Sequence, residues 1–154
     1  MASWAEFATA EPEMAEAGLA RLRELAAALA YLATAQADGS PQVHPVCPVI
    51  ASGQLYVAIG HRSPKLGDLR RDGRYMLHCL PGKNDEEFSV RGRATEANDA
   101  ATRVQVVAAA SETGLNIKNE EVIFRFDIAR ADTAYWENVG QPNTRPVRRK
   151  WVNG

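Results

Sequence analysis

The spacing of apolar residues in the first part of the chain predicts helix. Within residues 1–27, the apolar positions that recur on one helical face are Met14, Gly18, Leu22 and Leu25. Ser3 and Glu6 stand three residues apart, which is the spacing of a capping box at a helix start. Pro12 suits the first turn of a helix. The segment 1–27 is therefore predicted to form one amphipathic helix, or two short helices that break near Pro12.

From Leu29 onward the period changes to two, which predicts β-strands. Six stretches carry this pattern: LAYLATAQA, QVHPVCPVI, LYVAIG, RYMLHCL, EFSVRGRATEA and EVIFRFDIARADTAYW. Turn sequences such as DGSP, ASGQ and PGKND separate them. Pro45 and Pro48 cannot donate a backbone hydrogen bond, so the second stretch is predicted to be an edge strand or a bulged strand.

Two further helices are predicted between strands. One follows the third strand and begins at Ser63. The other follows the fifth strand, with Asn98 or Asp99 as its N-cap and Gly114 just past its end. The inward-facing positions of this second helix are expected to be Val104, Val107 and Ala108.

Together these elements predict a mainly β fold, a six-stranded antiparallel β-barrel with short helices. The sequence shows neither the alternation of a parallel sheet nor a glycine fingerprint for dinucleotides. The chain, 1–154, is predicted to be a single domain, with the helical segment at 1–27 and a polar, basic tail without periodicity at 137–154.

Charge and composition exclude several classes of protein. The chain has 18 Lys and Arg against 19 Asp and Glu, so no overall field attracts nucleic acid or an anionic membrane. No apolar run approaches the ~20 residues of a membrane helix, and the acidic N-terminus is unlike a signal peptide. Without an export signal, Cys47 and Cys79 are expected to be thiols and not a disulfide. A soluble cytoplasmic protein is the expectation.

The basic stretch GHRSPKLGDLRRDGR, residues 60–74, is the first candidate for chemistry. Ser63 is suited to cap a helix, and Pro64 to open it, which places Lys65 in the first turn. A helix N-terminus attracts anions, whereas a lysine there is unfavourable unless a negative group lies nearby. Arg62 adds a second positive charge, so the stretch indicates a phosphate cradle at the mouth of the barrel. The alternative is that these side chains are simply solvated.

A second candidate lies on the fifth predicted strand. Arg91 and Arg93 share a strand face with Ser89 and Thr95, so this face lines a polar site or is an ordinary solvent-facing surface. His44, His61 and His78 are too scattered for a metal motif, and no metal site is predicted. The sequence contains no signature of a Ser-His-Asp or Cys-His triad, so no catalytic residue is assigned.

The ordered set of motifs from Leu29 to Ala100 resembles one known family. YLATAQADGSPQ, the Pro-containing second strand, GQLYVAIG, the Lys-led helix ending in RRDGR, and VRGRA follow one another with the spacing found in the pyridoxamine 5′-phosphate oxidase-like split-barrel flavoproteins. The resemblance implies a six-stranded antiparallel split β-barrel of Greek-key type with an N-terminal helix. It also implies a homodimer with cofactor sites at the subunit interface, and a cofactor of the flavin type, FMN or the deazaflavin coenzyme F-420.

The resemblance also implies which residues contact the cofactor. Lys65 matches the lysine that binds the cofactor phosphate in the family, with Arg62 and Ser63 placed to assist and His61 bordering the site. The remaining positions that match ring-lining or neighbouring family positions, or share the polar strand face, are His44, Pro45, Val46, Val57, Ala58, Glu87, Arg91 and Arg93.

Two functions remain open from the sequence. The resemblance favours an oxidoreductase that transfers hydride between FMN or the deazaflavin and a small organic substrate. The alternative is a non-catalytic flavin- or haem-binding carrier or sensor on the same barrel. His44 replaces an arginine of the oxidase proper, Pro64 lengthens the loop before Lys65, and the oxidase's C-terminal substrate residues have no match here. Pyridoxamine phosphate is therefore not expected to be the substrate.

Overall fold

The computed structural model describes residues 1–24 and 28–154, which form four helices and eight strands within these ranges. The helices are α1 (Trp4–Ala10), α2 (Pro12–Arg23), α3 (Pro64–Arg71) and α4 (Ala100–Glu112). The strands are β1 (Ala30–Ala35), β2 (Pro41–Val46), β3 (Pro48–Ala51), β4 (Gln54–Ile59), β5 (Arg74–Cys79), β6 (Glu87–Glu96), β7 (Val122–Glu137) and β8 (Arg145–Val152). Within the described ranges, every helix is too short or too polar to cross a membrane.

The N-terminal segment forms two short helices, the second of the two predicted arrangements. The capping box is present, because the Ser3 hydroxyl accepts a hydrogen bond from the Glu6 amide and the Glu6 carboxylate accepts one from the Ser3 amide. The break falls at Glu11, whose backbone (φ −137°, ψ 69°) leaves the helical region directly before Pro12. The end of the predicted segment, including Leu25, lies outside the described residues.

All eight strands belong to one antiparallel sheet with the order β2-β1-β5-β6-β7-β4-β3, and β8 pairs with β7. Only Cys47 separates β2 from β3, although these strands stand at opposite ends of the order. The two ends of the sheet must therefore lie side by side, so the sheet curls into a barrel. The mainly β, antiparallel split-barrel fold expected from the sequence is confirmed.

The predicted number of strands, six, is corrected to eight. The stretch QVHPVCPVI forms two strands, because β2 pairs with β1 whereas β3 pairs with β4 on the other side of the closure. The tail 137–154 also contains a strand, since β8 pairs with the second half of β7 from Arg130 to Glu137. Its apolar residues are too few to give a period, and the strand forms because the edge of β7 is free beyond its pairing with β4.

A bulge in β7 allows this long strand to bend between its first part, which pairs with β4, and its second part, which pairs with β8. The pairing with β6 shifts between Arg91 and Gly92, so that Ala129 of β7 has no partner residue. Before the bulge Phe126 and Ile128 face the core, and after it the inward positions become Ala131 and Thr133. The bulge thus keeps the inner face apolar while the strand bends.

Two hydrophobic clusters fill the fold. The larger lies inside the barrel and under α1 and α2, where Gly18 allows α2 to approach the Phe88 ring. The smaller packs α4 on the outside of β3, β4 and β7 through Val106 and Ala110. The predicted inward face of this helix is wrong for Val104, which is 70% exposed, and for Ala108, whereas Val107 is half-buried against the smaller cluster as predicted. The period of its alanine-rich sequence is weak, so only contact with the sheet decides which face is buried.

Candidate functional site

Four segments of the chain enclose a cavity of about 250 Å³ beside Lys65. They are the β2–β3 junction, the end of β4, the start of α3 and the loop between α4 and β7. Its lining residues are Pro45, Val46, Cys47, Ala58, Ile59, Gly60, Lys65, Leu115, Ile117 and Glu121. The walls are mostly apolar, and one positive and one negative side chain face the space between them.

Lys65 is a positive charge in this cavity without a salt-bridge partner among the described residues. Pro64 opens α3, as the sequence predicts, and Lys65 follows in the first turn. Among the described residues no carboxylate forms a salt bridge with Lys65, and burial lowers the pKa of its ammonium group below the usual 10.5. A half-buried cation without a partner is unfavourable until an anion approaches, so this end of the cavity is suited to a phosphate or carboxylate.

His44, which is on β2, lies beside Lys65 of α3. Burial lowers the pKa of His44, the positive charge of Lys65 lowers it further, and Asp68 opposes the shift. The imidazole Nε2 contacts the Gln42 side-chain oxygen. His44 is therefore harder to protonate than an ordinary histidine, and Lys65 supplies the positive charge at this end of the cavity.

A second cavity, of about 470 Å³, lies on the outer face of β5, β6, β7 and β8. Asp132 is shared by two arginines: Arg130 binds it closely, at 2.5–3.0 Å, and Arg91 reaches it only at 3.4 Å. The Arg91 Nε is buried without a hydrogen-bond partner. Arg148 and Lys150 also line this cavity and form no salt bridge with a described carboxylate. The second cavity therefore carries excess positive charge.

The structure distributes the predicted site residues over several places. The cavity beside Lys65 brings together Pro45, Val46, Ala58 and Lys65, with His44 as their neighbour. The second cavity contains Glu87 and Arg91. The other predicted residues lie elsewhere: Val57 in the barrel core, His61 and Arg62 in the exposed turn before α3, Ser63 at the α3 N-cap without a side-chain hydrogen bond, and Arg93 in a cleft near the Arg70–Glu96 ion pair.

Six residues of the first cavity and ten of the second were not among the predicted site residues. Cys47, Leu115, Ile117 and Glu121 come from a strand junction and a loop, where no periodic pattern marks a site. Arg148 and Lys150 lie in the segment treated as a tail, and they become site residues because β8 pairs with β7. The weak signal for them is that Val147 and Trp151 would share one face of a strand and Arg148 and Lys150 the other, but two apolar positions do not establish a period.

The fold is that of a split barrel, and basic side chains line both of these cavities. A family model described as pyridoxamine 5′-phosphate oxidase matches residues 19–140, so the chain belongs to the pyridoxamine 5′-phosphate oxidase family. No match was found among the curated proteins.

Solved structures share the fold at low sequence identity. A haem-binding protein from Mycobacterium smegmatis is 16% identical with a TM-score of 0.59, over 85% of this chain and 57% of that protein. HutZ, the haem storage protein from Vibrio cholerae, is 20% identical with a TM-score of 0.59, over 77% of this chain and 89% of its own. PhzG from Burkholderia lata, in complex with tetrahydrophenazine-1-carboxylic acid, is 16% identical with a TM-score of 0.59, and the match covers 95% of this chain and 92% of PhzG.

Proposed function

We propose that the protein binds a flavin cofactor, FMN or the deazaflavin coenzyme F-420, with the cofactor phosphate at Lys65, and acts as an oxidoreductase on a small organic substrate. The observation that carries this proposal is the half-buried ammonium of Lys65, which lines a cavity and forms no salt bridge with a described carboxylate. A phosphate at this position would give the ammonium group a direct anionic partner. Membership of the pyridoxamine 5′-phosphate oxidase family supports the same assignment.

The residues present fit a cofactor of this kind. Lys65 would hold the phosphate, and the Pro45–Val46 segment with Ala58 would provide apolar wall for the part of the cofactor that follows it. The bound flavin would supply the hydride chemistry, whereas the chain would hold, orient and shield it. No described side chain is assigned as acid or base.

The cavity beside Lys65 is too small to hold a whole cofactor. Its volume of about 250 Å³ falls below the ~300–1,000 Å³ of ordinary ligand pockets. A second surface is therefore needed to cover the remainder. We propose that a second copy of the chain provides it, in a homodimer.

The outer face of β2, β1 and β5 is the surface proposed for this contact. Tyr31 is 46% exposed and Val43 58% exposed, and they lie on this face with Pro45 and Met76. The face continues into the second cavity, because Met76 pairs with Arg91. Pairing two copies through it would bury exposed apolar side chains and bring excess positive charge from one copy near the cofactor site of the other.

A titration of a lysine variant tests the cofactor site. We expect Lys65→Ala to weaken FMN binding at least tenfold, because one charge-assisted contact contributes about 1.5–3 kcal/mol. Lys83→Ala, which removes an exposed lysine outside the cavity, is the matched control and should leave the affinity unchanged. Equal affinities for the wild type and Lys65→Ala would refute the site.

A visible absorbance spectrum distinguishes a flavin-binding protein from the alternative, a haem-binding carrier. A haem carrier is favoured by the similarity in fold to haem-binding and haem storage proteins and by the imidazole of His44 near the cavity, whose pKa is lowered by burial. Binding of FMN or coenzyme F-420 in titrations supports the oxidoreductase. A haem band lost in His44→Ala, together with no flavin binding, would favour the carrier.

A further inference from the structure

We infer that Glu121 is a specificity-determining residue of the cavity beside Lys65, where it accepts a hydrogen bond from a hydroxyl group of a polyol phosphate arm whose anionic end lies at Lys65. This inference rests on the proposed function and names the part of the cofactor that the cavity recognises. FMN and coenzyme F-420 both carry such an arm between ring and phosphate.

The loop that carries Glu121 is held rigidly. The Arg103 guanidinium donates hydrogen bonds to the backbone carbonyls of Lys118, Asn119 and Glu121 at 2.7, 2.8 and 2.9 Å. Ile117 of the same loop is buried in the cluster under α4. Glu121 therefore reaches the cavity from a fixed backbone, which is what a preorganised binding residue requires.

The Glu121 carboxylate has one oxygen in use and one available. Its Oε2 accepts a hydrogen bond from the Lys118 amide at 2.7 Å, which orients the side chain. Its Oε1 has no hydrogen-bond partner among the described residues, and Glu121 lines the cavity. An ionised carboxylate only accepts hydrogen bonds, so the ligand atom that meets Oε1 must be a donor.

The two charged residues enter the cavity from different segments. Lys65 comes from the first turn of α3 and Glu121 from the loop between α4 and β7, and they form no salt bridge with each other. A ligand that satisfies both residues has an anionic group at one end and a donor at the other. An arm of phosphate and hydroxyl groups meets both conditions, and the volume of about 250 Å³ suits the arm alone.

Protection of Cys47 from alkylation tests the inference without a flavin. Cys47 lines the cavity and is partly exposed, whereas Cys79 is buried and serves as an internal control. The rate of Cys47 labelling by iodoacetamide would be followed by mass spectrometry with glycerol 3-phosphate, inorganic phosphate or O-phosphoethanolamine present. Each variant is compared with its own unprotected rate, because loss of the Glu121 charge also changes the reactivity of Cys47.

In the wild type, we expect glycerol 3-phosphate to protect Cys47 at lower concentration than inorganic phosphate does. Glu121→Gln should raise the half-protecting concentration of glycerol 3-phosphate about tenfold, since a hydrogen bond to a charged acceptor is lost. The half-protecting concentration of inorganic phosphate should not rise in this variant. Glu120→Gln, the matched neighbour outside the cavity, should behave as the wild type. Lys65→Ala should remove protection by both.

Three results would overturn the role of Glu121. One is an unchanged response of Glu121→Gln to glycerol 3-phosphate, a second is no protection of the wild type, and a third is stronger protection by O-phosphoethanolamine, which would assign an ammonium ligand. Failure of FMN to bind the wild type, with the glycerol 3-phosphate response intact, would overturn the flavin proposal alone.

Discussion

Lys65 shows how the environment of a single residue can point to a ligand. Its ammonium group is partly removed from water, and it forms no salt bridge with a described carboxylate. Arg71, in the last turn of the same helix, instead forms an ion pair with the buried carboxylate of Asp68 at 2.9 Å. Two basic residues that look alike in the sequence therefore differ in environment: Arg71 has an ion-pair partner within the fold, and we propose that the partner of Lys65 is a ligand.

The depressed pKa of Lys65 predicts how phosphate binding depends on pH. The protonated lysine binds the anion, so affinity is retained below the lowered pKa and is lost as the pH rises through it, before the usual value of 10.5. We expect the affinity for FMN, measured by titration between pH 7 and pH 10, to fall in the wild type.

Lys65→Arg provides the control for this pH dependence. A guanidinium stays protonated throughout the range, so the variant should hold its affinity at pH values where the wild type loses it. Parallel curves for the two proteins would show that another group controls binding.

At the scale of elements, the β7 bulge depends on Gly92. Gly92 is not in the left-handed region of the backbone, so space and not conformation excludes a side chain there. A Cβ at this position would overlap the carbonyl oxygen of Asp127 across the strand pair. The close approach of β6 to β7 at the bulge therefore requires glycine.

Replacement of Gly92 by alanine should lower the free energy of unfolding by about 1–3 kcal/mol, because the backbone must shift to relieve the overlap. Chemical denaturation measures the change. Gly67→Ala is the matched control: Gly67 lies in α3 with open space around it, and alanine there should stabilise the protein by about 0.5–1 kcal/mol. Equal effects of the two substitutions would contradict the role given to the bulge.

At the scale of the whole molecule, contacts between the N-terminal helices and β8 stabilise the position of both on the barrel. Phe7 is fully buried, and its ring packs against Trp151 of β8 with a centroid distance of 5.1 Å. Arg149 of β8 forms ion pairs with Glu11 and Glu13 at the start of α2. The N-terminal helices and β8 thus pack against each other on the barrel. The pairing of β8 with β7 also places Arg148 and Lys150 in the second cavity.

The proposed homodimer is tested through its exposed apolar face. Tyr31→Glu places a charge in the centre of the proposed contact, where burial without a partner is unfavourable, and should shift the protein from dimer to monomer. Sedimentation velocity measures the shift. Val104→Glu, an exposed position on α4, should leave the dimer intact. A wild type that is monomeric at micromolar concentration would refute the proposal.

Local patterns in the sequence predicted most of the elements, because each follows from nearest neighbours along the chain. Pro12 breaks the N-terminal helix, Pro64 opens α3, and the alternation from Phe88 to Thr95 specifies β6. The place of Lys65 in the first turn of α3 was also predicted from sequence, where a lysine is locally unfavourable. For these residues the chemical reason lies within a few positions of the residue itself.

Only the tertiary structure decided where the strands close and which residues share a cavity. Cys47 joins the two ends of the sheet, and Glu121 reaches the Lys65 cavity from a loop 56 positions away along the chain. Arg91 and Arg93 share a strand face but line different cavities. Side chains at alternate positions point to the same side of a strand, but each is displaced from the next along the strand axis. Sequence patterns have the range of one helix or strand, whereas a site is assembled by contacts between distant segments.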